Sequence, residues 1–378
     1  MPPFLAQSLR TFNSFILLYF IMLNLFCVVL FIFALIYIHR YKQRQRYHDL
    51  RATLQSGNTP GISILVPAYN EARGIVECVQ GLSLLRYPQF QIVVVNDGST
   101  DTTLEKLKQS FGLQCTPRLY PNIIPTKSVR GIYESSLLPN LVVMDKENGG
   151  KADALNAATN VAVHPLVCSV DADSILEEDG LLRVVAPFIE DPQRVVAVGG
   201  IVGIANGNLV EKGKVLAIRF PRPFLVRVQV VEYLRAFLAG RLGWSFLRGV
   251  LIISGVFCLV KKTVLQSCGG FSKDTVSEDA ELIARLHRYL REQGQRYRIL
   301  FIPDPICWTE APESLPLLAR QRNRWQRGLC EILWMHWRMF FNPRYGVLGV
   351  LTLPFHLIFE ALGACIEFFG YAVFGVSV

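Results

Sequence analysis

The sequence predicts a Rossmann-like α/β cytoplasmic domain with a mainly parallel sheet, flanked by transmembrane and interfacial helices. Short β-branched runs alternate with helical stretches from about residue 59 to 312, and an uncharged or weakly charged apolar run lies near each end. Hydrophobic residues make up 51% of the chain and charged ones only 18%, where a soluble domain carries about 25% charge. Such a composition excludes a disordered tail or a collagen-like fibre.

Phe15 to Ile38 contains no charge and a single amide, Asn24. As a helix it reaches roughly 36 Å, enough to cross a bilayer core. It is too long for a signal-peptide core and no small-residue cleavage site follows it. Residues 15–38 are therefore expected to span the membrane, with residues 1–14 outside. Arg10 is the one Lys or Arg before the span, whereas Arg40, Lys42, Arg44, Arg46 and Arg51 crowd the basic linker 39–58. The positive-inside rule then puts everything after residue 40 in the cytoplasm, behind an inner membrane. Nine cysteines stand singly, with no C-x-x-C pair and no His at zinc spacing, and read as reduced cytoplasmic thiols.

In the domain 59–312, Ile62 to Val66, Ile92 to Val95, Leu141 to Met144, Leu166 to Val170 and Val195 to Val198 read as strands buried on both faces, as a parallel sheet requires. Ligands of such sheets bind beyond the carboxyl ends of the strands. Polar residues follow four of these runs: Pro67-Ala68-Tyr69-Asn70-Glu71, Asn96-Asp97-Gly98-Ser99, Lys146 to Lys151, and Asp171-Ala172-Asp173. Each alone suits an ordinary turn or cap. Together on one sheet edge they point to a ligand.

No G-x-G-x-x-G follows the first strand and no Walker A sequence occurs, so the candidate ligand is a nucleotide held by other means. Asp97 can accept from a base or a ribose. Asp171 and Asp173, two residues apart, can reach a divalent cation, Mg²⁺ or Mn²⁺, together with phosphate, although a lone D-x-D is weak evidence. Ser277-Glu278-Asp279 puts paired carboxylates before an amphipathic stretch (Leu282, Ile283, Leu286, Leu290), and also reads as a helix N-cap.

Gln321, Arg324 and Trp325 fall at i, i+3 and i+4 of a helical stretch, on one face. An arginine there can grip a diphosphate, and an indole can offer a flat surface to a sugar. A basic interfacial helix is the other reading of 313–344, because Arg320, Arg322, Arg324 and Arg327 come without an acid in the local sequence. Residues 211 to 250, with Arg219, Arg222, Arg227, Arg235, Arg241 and Arg248, suit either an amphipathic segment against the bilayer or acceptor passage, or a helix packed on the domain with solvated arginines. The segment 345–378 is a second membrane stretch in which Glu360 or Glu367 can line a passage or sit at an interface. It is still apolar at Val378, so further helices beyond it remain an open reading. Nucleic acid is disfavoured, since the basic residues cluster near the membrane segments.

The motifs V-P-A-Y-N-E, V-V-N-D-G-S, G-G-K-A-D-A-L-N, D-A-D, S-E-D and Q-R-x-R-W occur in that order over about residues 60 to 340. In this the chain resembles the membrane-bound, processive family-2 glycosyltransferases, the cellulose, chitin, hyaluronan and poly-N-acetylglucosamine synthases, and most of all the last branch. The resemblance implies a GT-A fold, a UDP-sugar donor, a polysaccharide acceptor, inversion at the anomeric carbon and a multi-pass membrane enzyme, and it admits an accessory membrane subunit. It implies that Asp97 contacts uracil, that Lys151 and Asp171 hold the UDP moiety beside Asn70 and Glu71, and that Asp173 with Asp171 binds the metal. Asp279, next to Glu278, would be the general base, Arg324 would hold the diphosphate, and Gln321 and Trp325 would form the acceptor site. Ser277 stands where many members have Thr, keeping the hydroxyl. The short C-terminal membrane part departs from the pattern and puts a complete polymer channel in doubt. The alternative is a related enzyme that adds one sugar to a lipid or polyprenyl-phosphate acceptor; a catalytically silent scaffold is disfavoured because every acidic position is present.

Overall fold

A computed structural model describes residues 3–45, 59–211 and 213–377. Arg46, Arg51 and most of the basic linker lie outside the described residues. The first described element is a long helix, α1 (Pro3–Gln45), which contains the apolar run 15–38. One stripe of it, including Leu30 and Ala34, is buried against the rest of the molecule, while Phe31, Ile32, Leu35 and Ile36 stay exposed.

The α/β domain is built on a sheet of 10 strands: β1 (Ile62–Ala68), β2 (Phe90–Asp97), β3 (Leu113–Cys115), β4 (Val129–Ser135), β5 (Leu141–Lys146), β6 (Leu166–Val170), β7 (Ile175–Leu176), β8 (Val195–Ile204), β9 (Phe257–Lys261) and β10 (Arg298–Thr309). Their spatial order is β3-β4-β5-β2-β1-β6-β9-β8-β10-β7. The core β5-β2-β1-β6 is parallel, as is β8 with β10. Antiparallel pairs join at both sides, and β9 runs antiparallel between β6 and β8. The five strands expected from sequence all form, most of them extended by a few residues toward the polar turns.

Register matters more than length here. Ala68 lies beside Asn96 and Asp97 beside Lys146, so the polar segments after β1, β2 and β5 emerge side by side. Helices cover the sheet: α2 (Ile75–Ser83), α3 (Thr103–Phe111), α4 (Lys151–Val161), α5 (Gly180–Glu190) and, later, α6 (Glu278–Glu292). Every residue of α4 after Lys151 is buried, which its run of alanines and small polar residues permits. Asn156 repays its burial by exchanging two hydrogen bonds with the backbone of Phe271, at 2.9 and 2.7 Å.

The segment 211–250 packs on the domain, as one of the two readings made of it expects. Helix Phe224–Leu234 winds on through a π-helical stretch, Arg235–Arg241, into helix Leu242–Leu247. Val226, Gln229 and Phe237 pack inward, with Gln229 donating to the Pro312 carbonyl at 2.8 Å, while Ile218, Phe220 and Phe224 are 72%, 68% and 73% exposed. Its arginines are not all solvated. Arg241 lies 4.0 Å over the Phe237 ring and donates to the Ile252 carbonyl at 3.1 Å, and burial lowers its pKa to about 10.

The second apolar stretch, Leu348–Val373, is long enough to cross a bilayer and packs along α1, with Phe355 stacked on Phe26 at 4.5 Å. Two π-helical turns flank Pro354 in it, Leu348–Thr352 and His356–Ala361, where the proline interrupts the regular helical bonding.

Candidate active site

The carboxyl edge of β1 and β2 is tied together by one amide. Asn70 sits at φ +57°, a left-handed conformation that Asn tolerates, and its Oδ1 accepts from the Thr100 N–H at 2.8 Å. Its own N–H donates to Ser99 at 3.0 Å, and the Glu71 N–H donates to Thr103 at 2.9 Å. The Glu71 side chain belongs to an acidic cluster. Burial raises its pKa, and Asp173, Asp101 and Asp171 push it further in the same direction.

Asp97 is 3% exposed and faces inward. Its carboxylate accepts from Lys146 Nζ at 2.7 Å, from the Gly149 N–H at 3.0 Å and from the Gly150 N–H at 2.8 Å. Lys146, fully buried, also pairs with Asp153 at 2.6 Å, and Lys273 reaches Asp153 from the other side. Burial would raise the Asp153 pKa, yet Lys146 and Lys273 hold it below the ordinary value. This network clamps the turn Glu147 to Gly150, which launches α4 and so positions Lys151. Gly98, at φ +68°, leaves room for that clamp, since a Cβ there would come 2.7 Å from the Asn148 nitrogen.

Lys151 is the centre of a charge cluster. Its ammonium pairs with Asp171 at 2.7 Å and Glu278 at 3.1 Å, and donates to the Gly255 carbonyl at 3.3 Å. Burial works against its charge, but Asp171, Glu278 and Asp279 together hold its pKa above the ordinary lysine range. Asp171 is raised by burial, a shift that Lys151 opposes. Asp279 keeps a partial opening to solvent, and its pKa is raised first by burial and then by Glu278, with Lys151 pulling the other way. Ser277 is the N-cap residue of α6 without a side-chain cap bond, so the S-E-D carboxylates open a helix whose first turn already favours negative charge.

The Q-R-x-R-W motif lies on α7 (Leu315–Met335), which crosses the start of α6. The crossing is tight at Gly328, where a Cβ would meet Ser277 Oγ at 2.1 Å. Glu331 accepts from Thr275 at 2.9 Å and from the Val276 N–H at 3.0 Å. Gln321, Arg324 and Trp325 precede Gly328 by seven, four and three positions, the spacing of one helix face. Gln321 has a buried Oε1 without a hydrogen-bond partner, Arg324 is exposed with no ion-pair partner among the described residues, and Trp325 carries Arg322 4.4 Å over its ring. The expectation that these arginines come without an acid is corrected for two of them: tertiary packing supplies Glu232 to Arg322 at 2.6 Å, and Glu331, one turn on, pairs with Arg327 at 2.8 Å.

Asp173 is exposed and accepts a hydrogen bond from the Ser174 hydroxyl at 3.3 Å, while Asp171 is engaged by Lys151. Among the described residues no three His, Cys, Asp or Glu side chains form a cage for a metal. The donor set instead fits a cation held by one or two carboxylates with phosphate oxygens completing the shell, the usual mode of Mg²⁺.

Two residues of the site carried no sequence signal. Gly255 presents its carbonyl to Lys151, and a Cβ on it would stand 3.2 Å from Asp279 Oδ2. Gly328 permits the helix crossing. A single glycine outside any turn pattern looks like many others, and only the pair each one touches distinguishes it.

With this geometry in place, comparison with known proteins assigns the class. "Glycosyltransferase like family 2" matches residues 135–328 and "Glycosyl transferase family 2" residues 63–124, so the chain belongs to glycosyltransferase family 2. Among curated proteins it is similar to the poly-β-1,6-N-acetyl-D-glucosamine synthase of Staphylococcus epidermidis, 28% identical over 328 residues, covering 86% of this chain and 67% of that one. The enzyme of the same name from Staphylococcus aureus strain COL is 26% identical over 323 residues, covering 85% and 66%. The chain thus spans about two thirds of the length of these relatives. Among solved structures it resembles the mannosyltransferase PcManGT from Pyrobaculum calidifontis in complex with GDP-Man and Mn²⁺, with a TM-score of 0.52 at 20% identity over 80% of this chain and 76% of that one. That likeness supports the GT-A fold.

Proposed function

We propose that this glycosyltransferase is a membrane-bound, inverting enzyme that transfers a sugar from a UDP-sugar to a growing β-linked polysaccharide of the poly-N-acetylglucosamine type. The observation that carries the reading is the cluster of Asp171, Lys151, Glu278 and Asp279 at the carboxyl edge of the sheet, with Asp173 exposed two residues after Asp171. The named relatives make poly-β-1,6-N-acetyl-D-glucosamine, which supports the polymer and the N-acetylglucosamine donor.

Asp279 accepts the proton of the acceptor hydroxyl as that oxygen attacks the anomeric carbon. A sugar hydroxyl is a poor nucleophile at neutral pH, and a carboxylate with a raised pKa is a better base than a free one. The bond from the anomeric carbon to the UDP oxygen breaks in the same step, and a single displacement turns an α-linked donor into a β-linked product. Lys151 lies where the leaving diphosphate gathers charge, held cationic by its acidic neighbours. A divalent cation, Mg²⁺ or Mn²⁺, held by Asp173 with a share from Asp171, would neutralise further phosphate charge when bound. Arg324, exposed on the α7 face that leads to Ser277, is placed to close on the diphosphate, with Asn70 and Glu71 framing the donor side. Asp97, buried with both carboxylate oxygens engaged, serves the nucleotide by holding the Gly149-Gly150 turn. The buried, unpartnered Oε1 of Gln321 suits an acceptor hydroxyl as donor, with Trp325 beside it as an apolar floor.

The test is donor-dependent UDP release by the membrane-reconstituted chain across UDP-N-acetylglucosamine, UDP-glucose, UDP-glucuronate and UDP-galactose, with products resolved by size. UDP-N-acetylglucosamine is expected to give a ladder. A single product on a lipid acceptor would replace polymerisation by one-step transfer, and no release from any of the four would overturn the reading.

A further inference from the structure

A cavity of about 750 Å³ lies between α1, α5, the end of α6 and the starts of β8 and β10. The strands β6, β8 and β10 run in one direction, so residues preceding β8 and β10, Arg194 and Arg298, sit at the sheet edge opposite the carboxylates. Along α6 the cavity residue Arg291 is roughly 18 Å from Asp279. The cavity is therefore separate from the active site.

Its lining is strongly one-sided in charge. Eight arginines border it, against one carboxylate, Glu190. Two ion pairs reach them at long range, Arg44 with Glu190 at 3.9 Å and Arg298 with Asp191 at 3.8 Å. Arg194, Arg248 and Arg296 have no ion-pair partner among the described residues, and Arg298 Nε is buried with no hydrogen-bond partner. His287, which also lines the wall, adds no charge: buried between the Tyr297 hydroxyl and the Val250 carbonyl, its pKa is lowered to about 4. Guanidinium groups gathered this way repel one another unless an anion joins them, and they match phosphate oxygens with paired N–H donors.

Arg248 is held there against backbone preference. It stands at φ +62° and ψ +31°, the left-handed position after a helix that glycine occupies freely, and it is followed by Gly249.

The remaining wall is the basic end of α1, with Tyr37, Arg40, Tyr41 and Arg44. The exposed apolar side chains Phe31, Ile32, Leu35 and Ile36 end just before it. An amphipathic tyrosine pair and arginines at that point mark the headgroup level of a bilayer, where basic pockets beside spanning helices take lipid phosphates.

We propose that this cavity is a second binding site, for a phosphate or phosphodiester anion, reached along α1 by anionic membrane lipid. The full chain, purified in detergent, is tested by native mass spectrometry with phosphatidylglycerol against phosphatidylcholine, and by thermal unfolding with and without pyrophosphate. The wild type should retain phosphatidylglycerol in preference to phosphatidylcholine. The double variant Arg248→Gly, Arg296→Gln should retain it about 25-fold less well, at about fivefold per arginine removed. Arg248→Gly relieves the left-handed strain, so the variant's unfolding temperature without anion should not fall, which separates lost binding from lost folding. Stabilisation by pyrophosphate without lipid retention, abolished in the variant, supports the site with a soluble phosphate as its source. Equal retention of the two lipids with no pyrophosphate effect, or anion binding unchanged in the variant, overturns it.

Discussion

At the scale of single residues, the site turns on how three charges share one small volume. Asp279 must be ionised to accept a proton, so turnover should fall as pH drops through its pKa. Burial and Glu278 raise that pKa, which puts the acid limb of kcat/KM above the ordinary carboxylate value of about 3.9. Lys151 acts in the opposite sense, so Lys151→Gln should move the limb to higher pH while lowering the rate. A limb at the same pH in both proteins would mean that a group other than Asp279 titrates. Asp279→Asn keeps shape and removes the base: donor binding by calorimetry should change little while turnover drops about 10²- to 10⁴-fold. Wild-type turnover in that variant would remove Asp279 from the role. Asp171, Asp173, Glu278, Asp279 and Lys151 were legible beforehand because each follows a strand or opens a helix within a short acidic or glycine-rich motif. Lys146 and Asp153 were not legible as a pair. A lysine in Asp145-Lys146-Glu147-Asn148 reads as solvated, and only the packing of α4 on the sheet removes it from water.

At the scale of elements, that same lysine decides whether the turn between β5 and α4 holds its shape. Lys146 lies between Asp97 and Asp153 at 2.7 and 2.6 Å with no exposed surface. Lys146→Met would leave two carboxylates facing each other, with Lys273 as the remaining cation, and removing one partner of a buried ion pair costs about 3–5 kcal/mol. Denaturant unfolding of the variant should show that loss, and adding Asp97→Asn should recover part of it by removing one of the stranded charges. Full stability in the single variant would show that the turn is held otherwise. The parallel centre of the sheet was readable because its strands are continuous apolar runs of the expected length. Strand β10 was hidden by Pro303 and Pro305, which cannot donate to a ladder, and the structure accommodates them with register shifts near Phe301, Pro305 and Cys307. The antiparallel direction of β9 was equally hidden, since Phe257 to Lys261 has the same composition whichever way it runs.

At the scale of the whole molecule, two apolar helices lie side by side and the α/β domain leans on the far half of the first. The stripe Leu30, Ala34, Tyr37 and Tyr41 packs on that domain, and Tyr41 hydrogen-bonds Asp304 in β10, so helix and sheet are coupled by direct contact. If α1 spans a bilayer as proposed, these contacts give the sheet edge that carries Lys151 and Asp279 a set orientation to it. The sidedness of the domain is testable with the protein's own thiols. Cys115, on the edge strand β3, is exposed, whereas Cys168, Cys258 and Cys307 are buried and should stay unreactive in the folded state. Burial pushes the thiols of Cys168 and Cys307 well above the ordinary range, so they remain protonated as well as shielded. If the arginines after α1 keep this domain in the cytoplasm, a membrane-impermeant maleimide applied to intact cells should leave Cys115 unmodified. The same reagent should label it after permeabilisation, with peptide mapping to identify the site. Labelling of Cys115 in intact cells would reverse the topology and place the donor site on the side of the membrane that lacks nucleotide sugars.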